Sequence, residues 1–105
     1  TRFHALADAT LLHLFDQLED AFERGDFEEL DLNGGILTIE TMAGETFILS
    51  KHAPSMQLWL ASPLSGGHHF AYDESAATWV LPDGTQLKSL LCAELLKAAS
   101  VKVVL

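Results

Sequence analysis

Ala7, Leu11, Leu14, Phe15, Leu18, Ala21 and Phe22 follow one another at three- and four-residue steps. At 3.6 residues per turn such positions fall on one stripe, so the pattern predicts an amphipathic helix over residues 3–23. Asp16, Glu19, Asp20 and Glu23 recur at the same steps on the opposite side, and Asp8 lies two turns before Asp16 near the same ridge. Gly25 is a stop signal. Beyond it the period shortens to two. Asp26, Glu28, Glu29 and Asp31 carry acid into the next segment, and Asn33-Gly34-Gly35 is a tight-turn signal. Residues 36–40, 46–49, 56–62, 68–73 and 78–81 read as strands. Between them stand Ala43-Gly44, Pro54, Pro63, Gly66-Gly67 and, after the last, Pro82-Asp83-Gly84. Leu87, Leu90, Leu91, Glu94, Leu95 and Ala98 restore the helical step and predict a second helix over 87–99. Residues 101–105 form an apolar, extended tail suited to a groove beside the helices.

The order is helix, five or six strands, helix, with short connections that favour antiparallel neighbours. Two apolar-faced helices cover one face of one sheet. The expected fold is therefore α+β, a two-layer sandwich with its other sheet face open, in a single domain over 1–105. In the strand at 56–62, alternation assigns Met56, Leu58 and Leu60 to the helix side and Gln57, Trp59 and Ala61 to the open side. Trp59 is then either a hot spot for a protein partner or a ring lying flat to shield the sheet.

Composition narrows the function classes. The 105 residues are 49% hydrophobic and 20% charged, enough apolar material for a packed core and too much for disorder. No apolar run approaches the 18 or more residues of a membrane span. The opening Thr1-Arg2-Phe3-His4 has neither a signal-peptide pattern nor an initiator Met, so a trimmed chain is expected to have lost any targeting segment. Cys92 stands alone, which excludes an internal disulfide or a multi-Cys zinc site and fits a reducing compartment. Among Leu90, Leu91 and Leu95 it is expected to be a buried, inert thiol.

Fifteen acids against six bases give a charge of −9. Nucleic acid is excluded as a partner, because phosphate binding needs a basic footprint. Cations or a basic protein surface are favoured. Nine of the acids fall within residues 1–31, opposed there only by Arg2 and Arg24, so that segment carries −7 of the −9. A solvated helix face normally mixes signs; this one repels itself, by about 0.2–0.5 kcal/mol per exposed pair.

The acidic first helix, the run Asn33-Gly34-Gly35-Ile36-Leu37-Thr38-Ile39 and above all Gln57-Leu58-Trp59-Leu60-Ala61-Ser62-Pro63-Leu64-Ser65-Gly66 resemble the frataxin family. Trp79, Asp83-Gly84 and the helix around Leu90-Leu91-Cys92-Ala93-Glu94-Leu95-Leu96-Lys97 continue the likeness over nearly the whole chain. The resemblance implies the frataxin α–β sandwich and a role in iron–sulfur cluster assembly. It implies weak iron binding on the ridge, by Asp16, Glu19, Asp20, Glu23, Asp26, Glu28, Glu29 and Asp31. It also implies docking on the cysteine desulfurase and scaffold complex, with Ser55, Gln57, Trp59 and His69 on the sheet face. Four positions depart from the family pattern: Ser50-Lys51-His52 replaces a frequent Asn-Lys-Gln at its first and last residues, Ser55 a frequent Asn, and His69 an Arg of animal relatives. The Ser-Pro-x-Ser-Gly stretch and the last helix resemble mitochondrial or alphaproteobacterial members more than the shorter enterobacterial pattern, so a mitochondrial matrix and a bacterial cytoplasm both remain open.

Carboxylates are hard ligands suited to Fe²⁺, Fe³⁺, Mn²⁺, Ca²⁺ and Mg²⁺. Pairs at helical spacing share one cation and leave most of its coordination to water. The expected sites are weak, poorly selective and suited to a sensor or transient carrier. His68 and His69 are consecutive in a strand and point to opposite faces; His4 and His13 sit half a turn out of phase on a helix. Neither pair chelates together, which leaves His13 as a single nitrogen near the ridge. No Ser-His-Asp spacing or phosphate-binding glycine loop is present. The leading expectation is a non-catalytic iron-binding regulator of cluster assembly, monomeric or forming iron-dependent oligomers. The alternatives are a ferroxidase that stores ferric iron and an acidic interaction domain without metal.

Overall fold

A computed structural model describes residues 2–105. Helix α1 runs over Arg2–Glu23 and buries Ala7, Leu11, Leu14, Leu18 and Ala21, steps of four, three, four and three. The buried stripe is narrower than the sequence pattern: Phe15 is half-buried at its edge and Phe22 is exposed. The helix stops as Gly25 takes φ +87°. The Gly25 amide donates to the Phe22 carbonyl and the Asp26 amide to the Ala21 carbonyl, each at 3.0 Å. This pair of bonds satisfies the last carbonyls and needs a left-handed residue, which glycine supplies without strain.

The sheet has six strands, all antiparallel and in chain order. They are β1 (Phe27–Asn33), β2 (Ile36–Thr41), β3 (Thr46–His52), β4 (Gln57–Ser62), β5 (Gly66–Asp73) and β6 (Thr78–Val80), with a short 3₁₀ turn, Ala53–Ser55, before β4. Helix α2 spans Leu87–Ala99. Both helices pack on one sheet face. Leu37, Ile39, Phe47, Leu49, Leu58, Leu60, Phe70 and Trp79 meet the α1 stripe and Leu87, Leu91 and Leu95 of α2 in one continuous core. Each fully buried Leu or Phe of this set contributes about 1.5–3 kcal/mol.

The sixth strand, β1, escapes a period-two reading for a physical reason. A bulge between Phe27 and Glu29 inserts Glu28, so the inward residues Phe27, Leu30 and Leu32 are unevenly spaced. Met56 does not join Leu58 and Leu60 on the helix side. It closes the 3₁₀ turn at φ +54° and is 64% exposed, because a left-handed residue breaks the strand's alternation before β4 begins. The tail behaves as its pattern suggests: Val101 is buried and Val103 and Leu105 pack against the core. His13 Nε2 donates to the Leu105 carbonyl at 3.0 Å. This ties His13 to the tail. Trp79 ties α1 to the far sheet edge by donating from Nε1 to Thr10 Oγ1 at 2.9 Å.

Candidate functional site

Two surfaces carry the residues singled out above. The first is the acidic edge. On α1, Asp16, Asp20 and Glu23 are exposed and Glu19 is half-buried. Gly25 turns the chain into β1, where Glu28 stands at the bulge and Glu29 and Asp31 alternate outward from Leu30. Asp26 is different: its Oδ2 accepts from Arg24 Nη2 at 2.9 Å, which offsets its charge. Among the described residues none of the other seven acids of the set is in an ion pair. Asp8 is drawn away from the ridge. Lys51 Nζ lies 2.7 Å from Asp8 Oδ1 and donates to His4 Nδ1 at 3.2 Å, pinning the start of α1 to β3.

The tight turn at Gly34-Gly35 adds an acid that the sequence pattern did not assign to the ridge. It pairs Asn33 with Ile36, and the ladder runs back to set Glu29 directly opposite Glu40. Two carboxylates facing each other across strands destabilise the pair. The turn fixes that register, so the pairing was countable from sequence. The acids follow a line along α1 and β1, and among the described residues no three His, Cys, Asp or Glu side chains gather around one point. Such a line offers a cation at most one or two carboxylates at any point, the rest of a shell of about six to eight oxygens falling to water.

The second surface is the open sheet face. Trp59 stands on it with both faces covered. His52 stacks on one side at 3.6 Å between centroids and 12° between planes, and His69 on the other at 4.1 Å and 9°. Gln57 Oε1 accepts from Trp59 Nε1 at 2.9 Å and from the Ser55 hydroxyl at 3.0 Å. Ser55 Oγ lies 2.7 Å from His52 Nδ1. The fold thus brings Ser55, Gln57, Trp59 and His69 together and adds His52, which the sequence marked only as a departure from the family pattern. Strand parity was the available signal, since His52 pairs with Gln57 and Ser50 with Trp59.

The Ser-Pro-x-Ser-Gly stretch serves the fold. Ser62 Oγ donates to Glu94 Oε1 at 2.5 Å and Ser65 Oγ to Glu94 Oε2 at 2.6 Å. Ser62 Oγ also accepts the Leu64 and Ser65 amides. With both hydroxyl protons on the carboxylate, the 2.7 Å contact of His68 Nε2 with Ser65 Oγ has the imidazole as donor. A hydroxyl between acid and imidazole is the wrong order for a nucleophilic triad. It is a clamp that ties the turn after β4 to α2 and satisfies the buried Glu94. Cys92 is half-buried, not enclosed, because the α2 stripe of Leu87, Leu91, Glu94 and Leu95 leaves it a step aside.

The chain matches the model of the frataxin-like domain over residues 1–101. It belongs to the frataxin family. It is 46% identical over 86 residues to the iron–sulfur cluster assembly protein CyaY of Pseudomonas aeruginosa, covering 81% of this chain and 74% of that protein. It is 39% identical over 102 residues to the mitochondrial frataxin homolog of Saccharomyces cerevisiae, covering 94% and 58%. To the mitochondrial frataxin-like protein of Leishmania donovani it is 48% identical over 69 residues, covering 66% and 36%. The chain therefore spans about a third of the Leishmania protein and under two thirds of the yeast one. Frataxin from Psychromonas ingrahamii superposes with a TM-score of 0.84 at 28% identity, covering 97% of this chain and 92% of that one. A ferrous complex of trimeric yeast frataxin gives 0.77 at 37% identity, covering 91% and 87%. The frataxin relatives thus include mitochondrial and bacterial proteins. No described helix is long and apolar enough to cross a membrane.

Proposed function

We propose that this frataxin-family chain acts in iron–sulfur cluster assembly as a weak iron-binding regulator or carrier. Family membership and the relatives' names support the pathway. The observation that carries the iron reading is the run of outward carboxylates from Asp16 on α1 to Asp31 on β1, of which Asp26 alone is ion-paired among the described residues, doubled by Glu29 facing Glu40. Fe²⁺ is cargo here, held by Asp16, Glu19, Asp20, Glu23, Glu28, Glu29 and Asp31 in ones and twos. Asp26 contributes when Arg24 releases it. Bound cation offsets the mutual repulsion, so affinity and stability are linked. The same acidic edge suits a basic patch on a cysteine desulfurase, and the open face around Trp59 suits the scaffold that works with it. A bacterial cytoplasm or a mitochondrial matrix meets the chain's lone thiol equally well.

The test is an anaerobic Fe²⁺ titration of ¹⁵N-labelled protein followed by NMR, with Ca²⁺ as control. Paramagnetic broadening confined to residues 16–31 and to Glu40 is expected. Broadening elsewhere, or none, removes iron from the mechanism and leaves the edge as a protein-docking surface. Oxygen uptake on Fe²⁺ addition that Glu19→Lys, Asp20→Lys and Glu23→Lys together abolish would convert the reading to a ferroxidase.

A further inference from the structure

Residues 46–72 contain no Asp or Glu, although the chain has fifteen. They hold Lys51 and three of the five histidines, His52, His68 and His69. The meander gathers this stretch into β3, β4 and β5, with Asp73 closing β5 on the His69 side as the first acid beyond it, so the middle of the sheet is an acid-free sector in a protein of charge −9. On its open face stands the stack of His52, Trp59 and His69. Because the indole faces are covered, the surface offers ring edges to a partner. Among the described residues, the His52 ring bonds only through Nδ1, to Ser55, and the His69 ring makes no side-chain hydrogen bond. Their remaining nitrogens are available.

The charged groups nearby are few. Asp83, in the turn after β6, lines the shallow depression beside His69 together with Gln57, His68 and Pro82. Its carboxylate is already engaged by the Thr85 amide. Lys51 and His68 point to the helix side, the first paired with Asp8 and the second with Ser65. Protonation here places an imidazolium against each face of one indole, a favourable cation–π geometry. It also creates two positive edges with no acid of the open face between them.

We propose that the His52–Trp59–His69 stack is a proton-switched receptor for an acidic, carboxylate-bearing segment of the partner that docks on the sheet face. Charge complementarity selects that occupant: an anionic segment is repelled by the rest of this molecule and accepted in this sector. This inference rests on the docking reading above, and its test separates the two. The probe is hexaglutamate, added to the ¹⁵N-labelled chain at low salt at about pH 5.5 and about pH 8, on either side of imidazole titration. Hexalysine is the control. At the lower pH, hexaglutamate is expected to shift the amides of residues 52, 57, 59 and 69 and the Trp59 indole, with affinity about tenfold weaker at the higher pH. The double variant His52→Gln/His69→Gln, with its spectrum otherwise unchanged, should lose that pH dependence. Absence of shifts at both pH values, or equal shifts that the double variant keeps, overturns the receptor. A desulfurase–scaffold complex that binds in a Trp59-dependent way with one affinity at both pH values also overturns it and leaves docking intact. Histidine-dependent hexaglutamate binding without any binding of that complex supports the receptor and removes the docking reading.

Discussion

Gly34 and Gly35 both have positive φ, at +61° and +79°, but they stand in different surroundings. A Cβ on Gly34 would meet nothing within 4 Å, whereas one on Gly35 would lie 2.6 Å from Lys51 Cε. Lys51 cannot simply swing aside, because Asp8 and His4 hold its ammonium. Gly34→Ala should therefore cost the left-handed strain alone, about 1–2 kcal/mol. Gly35→Ala should cost that and up to about 1 kcal/mol more for the disturbed ion pair. Urea unfolding measures both, and the difference should vanish in an Asp8→Ala background. Equal costs in the native background would mean the Lys51 tether contributes nothing. Left-handed glycines after a strand are readable from Asn-Gly-Gly. Which side chain crowds the second one is not, since Lys51 arrives from the next hairpin.

At the scale of elements, the acidic edge is helix α1 and strand β1 acting as one charged seam. Each element departs from what stability alone would choose: α1 carries four acids with no basic partner on the same side, and β1 sets Glu29 against Glu40. Glu40→Lys turns a repulsive cross-strand pair into an attractive one and should stabilise by about 0.2–1 kcal/mol. The gain should fade near 1 M salt, where the screening length is about 3 Å. The same variant should weaken Fe²⁺ broadening at Glu29. Thermal melts across a salt series check the first part. A gain that survives high salt would point to packing instead of charge. The helix acids were legible from their three- and four-residue steps, and the Glu29–Glu40 pairing was countable from the turn. The strand carrying Glu29 was harder to see, because its bulge disguises the alternation that marks a strand.

For the whole molecule, stability depends on pH through carboxylates tied into turns. The Thr85 amide donates to Asp83 and holds its carboxyl below the usual range. Asp73 is held low chiefly by the Ser75 hydroxyl, and also by the Ala76 and Ser75 amides. A carboxyl depressed by folding lends stability that is complete above about pH 4, where the unfolded chain is already ionised. That stability is lost as pH falls through the lower folded value. Asp73→Ala/Asp83→Ala should therefore melt below the native chain at pH 6, and the gap should close progressively under about pH 4. A gap of constant size down to pH 2 would show that the ionised state of these turns adds nothing.

The sequence by itself determined the elements and their charge. Helical and strand periods come from backbone geometry within a few residues, so two helices, most strands, the hairpin register and the line of acids were all present in the pattern. Only the tertiary structure decided which of these groups meet. Thr10 bonds Trp79 across 69 positions, Ser62 bonds Glu94 across 32, and His13 meets Leu105 across 92. Met56, Phe22 and Cys92 are more exposed than their periodicity implied, because a left-handed turn and two narrow helix stripes set the buried surface. The ring stack needs β3, β4 and β5 in register at once, and no local period contains that alignment. Such contacts are fixed by the packing of one sheet against two helices, which the chain adopts as a whole.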